Sequence, residues 1–144
     1  MKRFGLNCLS VMALSLVLPL SASAQAKGQA NSGDQPPSVT IEGLVRDISC
    51  PIQNSEATAT RFNLQCALDC AKNGSPLIIL TKNGTIYTPI SDSMPDKDQR
   101  QRLMPLVGKD VKVMGPVYER AGTHAIAIKQ ITEMKGVHLV TDAH

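Results

Sequence analysis

The chain has no tryptophan and only two tyrosines and two phenylalanines among its 144 residues. Base-stacking platforms for nucleic acid are built from such rings, and their scarcity argues against that partner. An excess of one charge is missing too. Without Lys2 and Arg3, which belong to the leader described below, the 15 basic residues become 13 against 12 acidic ones, a net charge of +1. A balance so near zero lacks the electrostatic footprint of a nucleic-acid or anionic-membrane binder. Beyond Leu20 no apolar run approaches the roughly 20 residues that a membrane span needs. Cys-x-x-Cys spacing, a phosphate-cradling glycine loop and internal repeats are also absent, and Ser49 has no His/Asp pairing. Asp92, Asp96 and Asp98 read as helix capping rather than acid/base chemistry. These absences lead us to expect a protein that is not an enzyme.

What is present begins with an export signal. Lys2 and Arg3 form a positive start, residues 9–20 an apolar stretch, and Ser21-Ala22-Ser23-Ala24-Gln25-Ala26 a small-residue cleavage region. Cleavage after Ala24 or Ala26 fits, with Ala24 preferred. Cys8 precedes the apolar stretch, follows Asn7 rather than a small residue, and leaves with the leader. The expected location is the periplasm or the secreted fraction. Residues 25–38 carry Gly, Asn, Ser, Gln and the Pro36-Pro37 pair, the composition of a flexible linker. A single domain is expected over 39–132, with 133–144 as a tail or edge strand.

Alternation of apolar and polar residues predicts a strand over 39–47, with Gly43 as a bulge or bend and Cys50-Pro51 ending it. The pattern then turns helical over 57–73, where Phe62, Cys66 and Cys70 share one face and Gly74 terminates. Leu77 to Leu80 and Thr85 to Thr88 form a hairpin through Asn83-Gly84. Both Asn-Gly sites, Asn73-Gly74 and Asn83-Gly84, read as turns rather than glycosylation sites. A polar helix over 95–107 packs through Leu103, Met104 and Leu106, with Arg100 and Arg102 solvating its outer face. Strands over 111–118 and 124–131 follow, with an edge strand through Val137 to Val140. The order predicts a mainly β protein with two short helices (α+β): an OB-like, five-stranded, partly open barrel with the cysteine helix inserted after the first strand.

Three cysteines remain in the exported part, an odd number for an oxidising compartment. Cys66 and Cys70, one turn apart, hold their Cβ atoms about 5–6 Å apart, too far for a bond with one another. Either can pair with Cys50, closing a loop worth about 3 kcal/mol and leaving the third cysteine as a small buried apolar residue. This structural staple is the first reading, with no cofactor. The second is a copper or zinc site of Cys50, Cys66 and Cys70, with His124 as a candidate fourth ligand and His138 as another. Met94, Met104, Met114 and Met134 suit copper but read as core filler. A thiol-redox role comes third, because mid-helix positions gain little from the helix dipole.

The run Gly43-x-Val45-x-Asp47-x-x-Cys50, followed by Cys66-Ala67-x-x-Cys70-Ala71-x-x-Gly74-x-Pro76, resembles small exported bacterial proteins of uncharacterised function. Gly115-x-Val117-Tyr118 is similar to the same group, and the likeness covers about 39–131. Members of that group carry a histidine three positions before the first helix cysteine, where this chain has Asn63. The resemblance implies the OB-like fold and no defined activity. The expectation is an exported accessory or binding protein whose partner is another envelope protein or a small ligand at the barrel's open face.

Overall fold

The computed structural model describes residues 35–135. The leader with Cys8, most of the linker, the edge strand expected through Val137, His138 and His144 lie outside the described residues. Among the described residues no helix is long and apolar enough to cross a membrane.

Six strands form one sheet that closes on itself. Strand β1 (Ser38–Asp47) pairs antiparallel with β4 (Asp110–Arg120) through its first half and with β2 (Leu77–Leu80) through its second. β2 runs back as β3 (Ile86–Ile90), β3 lies parallel to β5 (Thr123–Ala127), and β5 is antiparallel to β4. The ring β1-β2-β3-β5-β4 is a closed, mixed, five-stranded barrel of OB-like α+β architecture. The expected bend at Gly43 lies where β1 leaves β4 for β2. A Cβ at that position would stand 2.7 Å from the Leu80 carbonyl oxygen, so only glycine lets the backbones meet.

A sixth strand, β6 (Gln130–Glu133), lies along the first part of β4. The pattern predicts one continuous strand over 124–131, and the structure divides it into β5 and β6. The break has a local cause, because both β5 and β6 use the same edge of β4, separated at Gly115 and Pro116. Pro116 has no N–H to donate there, and Gly115 admits the Ala127 carbonyl so closely that any side chain would collide.

Three short helices, rather than two, decorate the barrel. They are α1 (Ser49–Gln53), α2 (Leu64–Lys72) and α3 (Arg100–Leu103), the last continuing into a 3-10 turn at Met104–Leu106. The core gathers Leu44, Val45, Phe62, Ile78, Ile79, Leu103, Val111, Val113 and Ile126. Residues of one strand alternate faces, yet all five from Gly43 to Asp47 are buried. One face of β1 therefore looks into the barrel and the other lies beneath a cover to which α2 contributes. Arg102 is exposed as expected and Arg100 half-buried, and both also brace the barrel. Arg100 Nη1 donates to the Ser75 carbonyl at 3.1 Å and Arg102 Nη1 to the Ile128 carbonyl at 2.9 Å.

Candidate metal centre

The site is assembled where β1 leaves the barrel. The strand ends at Asp47, three residues before Cys50, because the Asp47 carboxylate turns the chain: its Oδ2 accepts from the Cys50 N–H at 2.9 Å. Cys50 thereby falls in the first turn of α1, where Pro51 is tolerated because its missing N–H has no helical partner to lose. This corrects the expectation that Cys50 closes the strand itself.

The cysteine helix is shorter than its apolar pattern suggests. Thr58 Oγ1 accepts from the Arg61 N–H at 3.0 Å, a local bond that competes with helix formation, and α2 starts only at Leu64. Asn63 caps it, accepting from the Cys66 N–H at 2.8 Å. Cys66 is thus in the first turn, beside the positive end of the helix, and the mid-helix argument against thiolate chemistry does not hold for it. At the other end Gly74, at φ +97°, closes a Schellman turn. Its N–H donates to the Ala71 carbonyl, and the Ser75 N–H to the Cys70 carbonyl at 3.0 Å. Both ends of α2 are pinned, so Cys66 and Cys70 are presented from a fixed turn.

The three sulfurs converge. Cys50 Sγ and Cys66 Sγ are 3.3 Å apart, and all three Sγ atoms lie within 4.8 Å of one another. All three are free thiols, Cys50 and Cys70 half-buried and Cys66 exposed. Four-coordinate Zn²⁺, with Zn–S near 2.3 Å, sets neighbouring sulfurs about 3.8 Å apart, inside this spread. Thiolates are also the donors that Cu⁺ prefers, so the residues present fit either ion.

Behind the sulfurs stands a buried charge pair, Arg46 and Asp47, of which only Asp47 entered the motif read from the sequence. Arg46 is 1% exposed and Asp47 0%. Arg46 Nη2 lies 3.7 Å from Asp47 Oδ1, Nη1 donates to the Thr58 carbonyl at 3.3 Å, and the guanidinium sits 5.6 Å from the centre of the Phe62 ring. Arg46 Nε and Asp47 Oδ1 have no hydrogen-bond partner. A cavity of about 430 Å³ opens beside the thiols, with Arg46, Gln53, Asn54, Ala57 and Asn63 in its wall.

The electrostatics keep two of the thiols protonated. Burial pushes the Cys50 thiol up to about 11, helped by its hydrogen bond with Cys66 and the nearby Asp47 carboxylate. Cys70 is raised as well, by burial, by Asp47 and by Cys50. At neutral pH neither is a ready nucleophile, and a cation among the sulfurs would reverse the balance by stabilising the thiolates.

Other candidates fall elsewhere. His124 is not in the sulfur group; it lies on β5 with Nδ1 3.1 Å from Glu119 Oε1 and its ring against Tyr87. Met94 is 82% exposed and Met114 40%, so neither is core filler, while Met104 packs against the core. Asn63 uses its side-chain oxygen as the α2 cap and is not a member of the sulfur group. Asp98 stands one residue before Gln99, the N-terminal cap position of α3, and accepts from the Arg100 N–H at 2.9 Å; Gln99 itself makes no side-chain cap bond. Comparison with protein-family models, with curated proteins and with solved structures finds no match to this chain.

Proposed function

We propose that this is an exported, non-catalytic accessory protein that binds one soft d¹⁰ ion, Cu⁺ or Zn²⁺, through Cys50, Cys66 and Cys70. The observation that carries the reading is the meeting of three sulfurs within 4.8 Å from two separate elements. Loss of the thiol protons on binding makes affinity rise with pH through the thiol range. Without an ion, the protonated state of Cys50 and Cys70 disfavours either as a redox nucleophile and leaves Cys66 alone for that role.

A second reading is favoured by the 3.3 Å approach of Cys50 and Cys66. Oxidation would join this pair and leave Cys70 alone, stapling α2 to the end of β1 for about 3 kcal/mol. Anaerobic purification followed by metal analysis and thiol counting separates the two. Metal binding predicts one ion per chain, three thiols protected from alkylation, and an affinity about 100-fold or more weaker in Cys70→Ser, measured by competition with a chromogenic chelator. Metal-free protein with a single alkylatable thiol supports the staple and rejects the metal.

A further inference from the structure

A tetrahedral ion takes four donors, and the described residues gather three. Among the described residues no histidine, aspartate or glutamate joins the sulfur group. Asp47 is close enough to raise the thiols, but its carboxylate lies outside the sulfur group, with Oδ2 bonded to the Cys50 N–H and Oδ1 3.7 Å from Arg46 Nη2. None of the described residues completes the set, and the 430 Å³ cavity beside the sulfurs, within the size range of small-molecule sites, gives a donor from solution access to the ion.

The wall of that cavity specifies the charge of its occupant. Besides the cysteines its only ionisable residue is Arg46, joined by the neutral Ser49, Gln53, Asn54, Ala57 and Asn63. Arg46 is 1% exposed, always charged, and holds an Nε with no hydrogen-bond partner. A buried donor left without an acceptor is costly, and its Asp47 neighbour, 3.7 Å away at the closest contact, satisfies it incompletely.

We infer that the Zn²⁺-loaded centre takes as its fourth ligand a small anion from solution, of the halide, carboxylate or thiolate class, whose charge Arg46 holds. The anion displaces a water from the ion, and no electron is transferred. The inference rests on the metal reading above and adds that the centre is open to exogenous ligands and selective for negative ones.

The test is a titration of the Co²⁺-loaded full chain with azide and with imidazole, followed by visible absorption. Azide should shift the ligand-field bands saturably. Gln53→Glu, at an exposed position of the cavity wall, should weaken azide by about two- to three-fold and leave imidazole unchanged. Arg46→Gln should weaken azide about ten-fold or more. Sulfur-to-cobalt charge-transfer bands with ligand-field bands indifferent to azide would overturn the inference and leave the metal centre standing. Equal weakening of azide and imidazole in Gln53→Glu would also reject charge selectivity. Absence of the sulfur bands would sink the metal reading itself, and this inference with it.

Discussion

Leu44 and Val45 are fully buried on β1, and so are Arg46 and Asp47, the next two residues of the same strand. The first pair belongs to the barrel body, where Leu44, Val111, Val113 and Ile126 pack side chain against side chain. The second pair belongs to the thiol mouth, where a guanidinium and a carboxylate are out of water with an orphaned atom each. Apolar residues at such a place would commonly serve stability as well or better. One strand therefore changes purpose along its length: its beginning and middle hold the barrel, and its end shapes a cavity beside three sulfurs.

The comparison is broken most easily at Asp47. Asp47→Ala should lose about 3–5 kcal/mol, because it strands the Arg46 charge in the interior and leaves the Cys50 N–H without its acceptor. Urea unfolding measures this, and a loss under about 1 kcal/mol would mean that the pair is screened by water.

Next in size is the reactivity of Cys50. With its thiol pushed from the ordinary 9.0 up to about 11, the metal-free, reduced protein should alkylate there about 100-fold more slowly at pH 8 than an unperturbed thiol. The rate should climb towards about pH 11. The sign for stability follows: the folded thiol keeps a proton that the unfolded chain releases near 9.0, so the metal-free fold weakens as pH rises above that value. An alkylation midpoint at or below 9.0 contradicts the described burial.

The smallest effect lies in the barrel body, at Asp110. Burial raises this carboxyl above its ordinary 3.8, Lys82 partly offsets the rise, and Glu42 adds to it. Its Oδ1 has no hydrogen-bond partner. The folded state then holds the proton to a higher pH than the unfolded chain, so stability declines as pH rises through and above the carboxylate range. Asp110→Asn should stabilise by under about 1 kcal/mol at pH 7 and change little at pH 3, read from thermal midpoints at the two pH values. Equal effects at both would show that packing, not charge, decides at this position.

Much of the barrel was legible in local pattern. Alternation marked β1 and the start of β4, Asn83-Gly84 marked the hairpin, and Gly43 marked the bend, because each signal depends on near neighbours along the chain. The convergence of Cys50 with the cysteine helix was legible as well, since α1, which carries Cys50, directly precedes α2 in the order of elements. What escaped was decided across space. Arg46 and Asp47 read as the polar end of a half-buried strand, and nothing local announces that both faces of β1 are covered there, with α2 contributing to the cover. The helix start was misplaced because the apolar spacing from Phe62 to Cys70 is helical, while the Thr58 hydroxyl and the Asn63 cap set the boundary. The bracing bonds of Arg100 and Arg102 escaped because the carbonyls they reach, at Ser75 and Ile128, lie 25 and 26 residues away along the chain.

The double pairing of β1 has a consequence for assembly. With that strand undocked, the remaining five would make an open ribbon carrying two sulfurs on one helix and no third. Seam closure brings Cys50 into reach, so the complete trio exists only in the finished cylinder. Whatever fastens to all three therefore favours the closed form by mass action, and acts as a latch on the chain's N-terminal ribbon.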